Sequence, residues 1–465
     1  MSVRSSRKWF AEKTARLRFR HLLMAAAATH VALCVLINLA GRFNLFPNIF
    51  DANGISSPLA FDSFYYRRKS IELVAALARG DVSEWFNAPF PLHVKLYSLS
   101  FAVMSPLFGF TMLSVEPLNL FYYLSILILV FKLGEELFDR STGFAAALII
   151  ALWPSFLLHT TQLLRDPLFI AVTLVLVLII ARWLTREHSP RRGLLEALAG
   201  AAASAVIWLT RYNIWAMIFG FVLLGAVFLI LRQRRQKRWL AGNLAGAALL
   251  LILMGGTPTI VGAFLWPDSF ISEYPITEER LPPSPCPEDQ PAPSAHQSGL
   301  WSRLKARADR RVMRLGIMRR RFAIIYSNAG SNLDACVPLW SVADMLRYLP
   351  RGVANGFLAP YPNMWLGTGN SVGFSGRLLS GMEMLVIYLI ELLAILGLWE
   401  GRRRLPVWFM ALFAASGIIA LGLVVINVAV MFRMRYVFSM LLVLLGVRGA
   451  RLILSRWSSQ PTKSP

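Results

Sequence analysis

Charge is scarce in this chain. Only 16% of its 465 residues are Asp, Glu, Lys or Arg, 56% are hydrophobic, and the mean hydropathy is +0.54. A soluble domain of this length does not carry so much apolar sequence, so the chain reads as a polytopic membrane protein. Cysteine is nearly absent: Cys34, Cys286 and Cys336 are the full set, and none of their spacings suits zinc. The six histidines are scattered, and no metal site is expected. Cys34 falls inside the first apolar run. Cys286 and Cys336 share one long loop, where a disulfide in an oxidising compartment and two free thiols are both open. No internal repeat of the transporter kind is evident. Acidic residues number 25 against 48 Lys and Arg, a net charge of +23. In a soluble protein that balance points to nucleic acid. Here the basic residues cluster between apolar runs, where they hold loops at anionic membrane lipid and set topology. The long spans leave no basic groove, so nucleic acid is not a partner.

The N-terminal tail, 1–20, carries Arg4, Arg7, Lys8, Lys13, Arg16, Arg18 and Arg20 ahead of an apolar run from His21 to Ala40. No small-x-small cleavage site follows, and the run reads as a retained signal-anchor span. Further runs able to cross a ~30 Å hydrocarbon core begin near residues 117, 143, 167, 194, 213, 239, 382, 406 and 435. A shorter one, Val94–Phe110, contains Lys95 and Pro106. With a cytoplasmic N-terminus and that run not crossing, the inner connections hold Arg182, Arg186, Arg191, Arg192, the cluster at 233–238, Arg402 to Arg404, Arg448, Arg451 and Arg456. The short outer ones hold Arg165, Arg211, Arg433 and Arg435. Letting the run cross would put every later cluster outside, so Val94–Phe110 is expected to be interfacial or re-entrant. The fold expected is an all-α polytopic membrane protein of about ten transmembrane helices. Its segments are a transmembrane module over 21–266 with a first outer loop at 41–116, an outer region at 267–381, C-terminal helices at 382–454 and a tail at 455–465. Both termini are placed in the cytoplasm, in a membrane of the bacterial inner (plasma) type.

The second outer region opens with the Pro-rich stretch PITEERLPPSPCPEDQPAPSAHQS, which reads as a linker. A basic run with apolar residues at helical spacing follows, WSRLKARADRRVMRLGIMRRRF. A helix lying on lipid headgroups is favoured over one that gathers anionic substrate. The remainder, rich in Gly, Pro, Asn and aromatics, has the composition of a lid over a cavity.

Two acids stand at outer span ends. A carboxylate there is costly, and two on one face point to acid/base or ligand-binding work. Asp62 precedes a helix-like stretch, where capping and catalysis are equally open. Asp166 is followed by Pro167, which suits a first helical turn. His159, Gln162, Arg165 and Asp166 crowd one span end. Arg211, Arg433 and Arg435 interrupt apolar sequence on the side that topology keeps poor in positive charge. Guanidinium groups hold phosphate in a bidentate fork, and a lipid phosphate is favoured over structural pairing with the acids. Tyr65, Tyr66 and Trp365 are candidate sugar-stacking surfaces.

The order of these elements resembles a known family. It runs from an N-terminal span and an early loop Asp, through PFPLHVKLYSL, to a span ending KLGEELFDRSTG, then AAALIIALWPSFL and LLRDPL. Over roughly residues 20–235 this resembles the GT-C type membrane glycosyltransferases, of the dolichyl-phosphate-mannose protein mannosyltransferase and aminoarabinose transferase kind. GSNLD, YLPRG, FLAPYPNMW and FRMRY resemble glycosyltransferase-like bacterial members. The chain departs from the protein mannosyltransferases in lacking a lectin-like domain and a paired-acid motif at Asp62. The resemblance implies a GT-C-like fold with two large outer loops and an enzyme that moves a sugar from a polyprenyl-phosphate carrier. The acceptor would be a glycan, lipid or protein on the outer face. Asp62 would act as base or orient the acceptor, Asp166 would line the site, and no cofactor would be required. Two alternatives stay open: a polymerase or ligase using a diphosphate-linked oligosaccharide, and a lipid or solute transporter.

Overall fold

A computed structural model describes residues 3–57, 60–264, 286, 300–327, 329–367 and 373–458. Most of these residues are helical, with two isolated β-bridges among the rest. The α-helices are α1 Val3–Arg42, α2 Asp62–Ala78, α3 Val82–Asn87, α4 Leu92–Phe108, α5 Met112–Leu137, α6 Arg140–Ala151, α7 Pro154–Thr160 and α8 Asp166–Thr185. They continue with α9 Pro190–Gln236, α10 Ala241–Phe264, α11 Leu300–Ile325, α12 Val342–Leu358, α13 Gly373–Glu400, α14 Leu405–Val424, α15 Val428–Met434 and α16 Tyr436–Ser458.

Eight of the described helices are long and apolar enough to cross a membrane, or nine if the bent pair α6 and α7 makes one crossing. That pair turns by 70°, with Pro154 opening α7 where its missing N–H costs nothing. The helix α9 conceals a further break. Glu196, near its start, accepts the Trp183 indole N–H at 2.8 Å, and Arg232, near its end, donates to the Trp183 carbonyl at 2.7 Å. A straight helix would hold residues 36 apart at about 54 Å. The chain therefore folds back, and it does so at Arg211, the one non-helical residue inside α9 (φ −150°, ψ 62°). Trp215 reaches Ser204 across the bend at 2.9 Å. The two halves both pack on α8, and counting them separately brings the crossings among the described residues to ten at most. The runs beginning near 194 and 213 correspond to these halves. The α4 helix has 17 residues, about 25 Å, and is too short to span.

The chain divides into two compact units, 1–273 with 389–412 and 440–465, and 274–388 with 413–439. In the first, Asp139 caps α6 by accepting from the Thr142 amide at 2.8 Å and pairs with Arg448 at 3.0 Å and with Arg451. Burial pushes this carboxyl up, but the Thr142 amide and Arg451 outweigh it and hold it at about 2, against an ordinary 3.8. A depressed carboxyl stabilises the fold above its unfolded value and stops doing so as pH falls through its folded one. The melting advantage over Asp139→Asn is therefore expected to be constant above pH about 4 and to vanish toward pH about 2. Scanning fluorimetry across that window measures it.

The second unit is built around α11. Val312, Leu339, Tyr348 and Leu423 form its core. Gly316 lies so close to Leu339 that a Cβ there would sit 2.3 Å from the Leu339 carbonyl oxygen. Arg319 is 2% exposed and donates to the carbonyls of Leu423 and Asp334 at 2.8 and 2.5 Å and to the Tyr348 hydroxyl at 2.9 Å. Asp334 accepts from Tyr348, Arg351 and Asn355, each at 3.0 Å. Burial raises its carboxyl, and these donors more than reverse that, leaving it below its usual range. The basic run thus forms the expected helix, and its inner face is packed on protein. Cys286 and Cys336 form a disulfide, closing the question left open by spacing alone.

Candidate active site at the Asp166 turn

The helix α7 ends at Thr160 and α8 begins at Asp166. The five residues between them form a buried turn whose polar groups need partners. Distant parts of the first unit supply them. The Gln162 side chain accepts from the Ser56 amide at 2.9 Å and donates to the Gly54 carbonyl at 3.2 Å, and Asn119 donates to the Gln162 carbonyl at 3.2 Å. Tyr97 of α4 donates to the Leu164 carbonyl at 2.8 Å and accepts from the Leu164 amide at 3.2 Å. Ser63 of α2 donates to the Leu163 carbonyl at 3.0 Å. Thr160 lies 3.0 Å from Nε2 of His30, whose Nδ1 lies 2.7 Å from Glu116. Helices α2, α4 and α5 grip this turn and α1 holds Thr160 just before it, so the residue after it is rigidly presented.

That residue, Asp166, is paired with Arg211, and both side chains are at most 5% exposed. The pair joins the start of α8 to the bend in α9, and the Arg211 guanidinium also lies 5.2 Å from the centre of the Phe169 ring. Arg211 leaves helical geometry at the point where its side chain meets the acid. Arg165, half-buried, occupies the N-cap position of α8.

Asp62 is the first residue of α2, with Phe61 in the N-cap position. It is half-buried, and its neighbour Ser63 is the residue bonded to Leu163. The structure thus brings the elements carrying Asp62 and Asp166 to one place. Tyr65 is half-buried, with Arg68 at 5.9 Å from its ring. Tyr66 is buried and packs edge-on against His93 at 4.5 Å. His159 is buried, its Nδ1 2.5 Å from the Ser155 carbonyl one turn back. Arg433, Arg435 and Trp365 belong to the second unit. There Arg435 donates to the carbonyls of Gly356 and Phe357, at 3.0 and 3.2 Å, where α12 ends. Trp365 donates its indole N–H to the Pro360 carbonyl at 2.8 Å.

One neighbour of the site, His93, and a buried lysine two residues on, Lys95, were not singled out as site residues by sequence reasoning. His93 of α4 is 1% exposed, and neither ring nitrogen has a hydrogen-bond partner among the described residues. Burial pushes its imidazole well below its usual range, the charges of Arg165 and Arg211 add to that, and Asp166 opposes it. Lys95, two residues on, is 2% exposed, donates to the Phe86 carbonyl at 2.5 Å and is lowered by burial to about 7. The available signal was a His and a Lys inside the apolar stretch PFPLHVKLYSL. No group of three or more His, Cys, Asp or Glu poised for a metal occurs among the described residues.

Residues 94–261 match the model of the dolichyl-phosphate-mannose-protein mannosyltransferase family. The chain is similar to the GT-C type membrane glycosyltransferases. The matched stretch holds His159, Arg165, Asp166 and Arg211 and ends before the second unit, so the GT-C similarity by sequence lies within the first. A solved structure is also similar: the archaeal oligosaccharyltransferase AglB from Archaeoglobus fulgidus, in complex with an inhibitory peptide and a dolichol-phosphate. The TM-score is 0.47 at 12% identity, over 94% of this chain and 51% of that one, so the chain spans about half its length. No curated protein matches the chain.

Proposed function

We propose that the protein transfers a sugar from a polyprenyl-phosphate carrier to a glycan, lipid or protein acceptor at the outer face of a bacterial plasma membrane. The observation that carries this reading is the Asp166 turn, where a buried acid–arginine pair adjoins the start of α2 with Asp62. The family match supports it, since that family is named for mannose transfer from a dolichyl phosphate. The Cys286–Cys336 disulfide supports an oxidising compartment for its segment, in line with positive-inside counting.

In the transfer, the acceptor hydroxyl oxygen attacks the anomeric carbon. The bond from that carbon to the phosphate oxygen breaks, and the phosphate leaves with the electron pair. Asp62 takes the acceptor proton. Asp166 is paired with a guanidinium and serves as an anchor rather than as the base. Its part is to fix Arg211, which with Arg165 steadies the charge growing on the phosphate. Arg433 and Arg435 remain proposed phosphate ligands, and Tyr65, Tyr66 and Trp365 proposed sugar contacts, each to be tested by substitution.

The test supplies purified protein in nanodiscs with polyprenyl-phosphate sugars, polyprenyl-diphosphate oligosaccharides and a crude envelope acceptor. Free polyprenyl phosphate released from the monophosphate donors is the expected product. Release from diphosphate donors alone would replace the donor class, and movement of intact donor without cleavage would replace enzyme by transporter.

A further inference from the structure

The outward side of α11 is unlike its buried side. Arg303, Arg307, Arg310, Arg314 and Arg321 are all exposed. Their spacings of four, three, four and seven residues put them on one stripe along the helix. The opposite side holds Val312, Gly316, Arg319 and Ala323, all buried. The one acid on the helix, Asp309, accepts the Val342 amide at 2.9 Å. Among the described residues no carboxylate lies within ion-pairing distance of the five arginines.

The stripe is not purely charged. Ile317 and Ile325 continue the same spacing and are 43% and 48% exposed. A helix face meant only for water gains nothing from aliphatic side chains set among arginines. A soluble polyanion would match the guanidinium groups and leave the isoleucines unused. An anionic leaflet satisfies both, with phosphates for the arginines and the headgroup–acyl boundary for the aliphatic carbons.

We propose that this stripe docks the second unit on anionic lipid headgroups, arginine side down. The proposal is independent of the transfer chemistry and reverses the usual orientation of an interfacial helix, because the apolar side is already occupied by protein. Each arginine close to an anionic surface is worth roughly a fivefold gain in binding.

The experiment compares the full chain in nanodiscs of phosphatidylcholine with nanodiscs that also contain phosphatidylglycerol. Amide hydrogen exchange is followed over residues 303–325. The expected result is exchange at least about tenfold slower with phosphatidylglycerol, a difference erased by high salt. The variant with all five arginines changed to Gln is expected to exchange alike in both discs, with α12 protection unchanged as evidence that the unit is folded. Equal exchange of the unaltered protein in both discs would overturn the proposal. Protection by soluble heparin, with none from phosphatidylglycerol, would overturn it in favour of a soluble polyanion.

Discussion

Asp62→Asn is expected to lower kcat by ~10²–10⁴, the usual contribution of a general base, with the fold essentially intact. Asn keeps the size and the hydrogen-bonding oxygen of Asp but does not take a proton at neutral pH. Asp62 also stands in the first turn of α2, where a carboxylate favours the helix by about 0.3–1 kcal/mol. A small loss of stability therefore accompanies the substitution under either reading. Turnover separates them: a carboxylate that only complements the helix start would leave kcat within a factor of two or so once the melting temperature is matched.

The second large effect concerns Asp166 and Arg211. Removing one partner of a buried ion pair strands the other charge, at a cost of about 3–5 kcal/mol. Asp166→Leu and Arg211→Leu are each expected to lose that much in denaturant unfolding of the detergent-solubilised protein. The double variant leaves no stranded charge and is expected to recover much of the loss, giving a coupling far from additive. Activity adds the decisive contrast. If the pair only fastens α8 to the bend in α9, the double variant regains stability and turnover together. If Arg211 also steadies the donor phosphate, stability returns and turnover does not.

Much of the fold could be read from the sequence because its main signal, long apolar runs, is local. The runs near 194 and 213 match the two halves of α9, although the backbone between them reads as one helix with a single irregular residue. The 70° turn at Trp153 and Pro154 was less evident, since a proline also opens ordinary helices. Parts of the site were visible singly: Asp62, Asp166, Arg165 and Arg211 each stood out as charge at a span end. The pairing of Arg211 with Asp166 was visible only as the less favoured alternative to a lipid phosphate, because the two are 45 residues apart and nothing local encodes that contact. Nor does anything local encode the contacts of His30 with Glu116, 86 apart, and of Ser63 with Leu163, 100 apart. In the basic run, apolar spacing correctly indicated a helix with one apolar side. Whether that side meets lipid or protein depended on Leu339 and Leu423, which lie outside it.

Chemical rescue tests the role of Asp62 most directly. Release of polyprenyl phosphate would be followed for Asp62→Ala in nanodiscs with increasing formate. A small carboxylate diffusing into the space left by the side chain is expected to restore part of the release, in proportion to its concentration and without any change in donor binding. Full activity of Asp62→Ala without formate, or no restoration in a variant that folds and still binds donor, would contradict the assignment of Asp62 as the base.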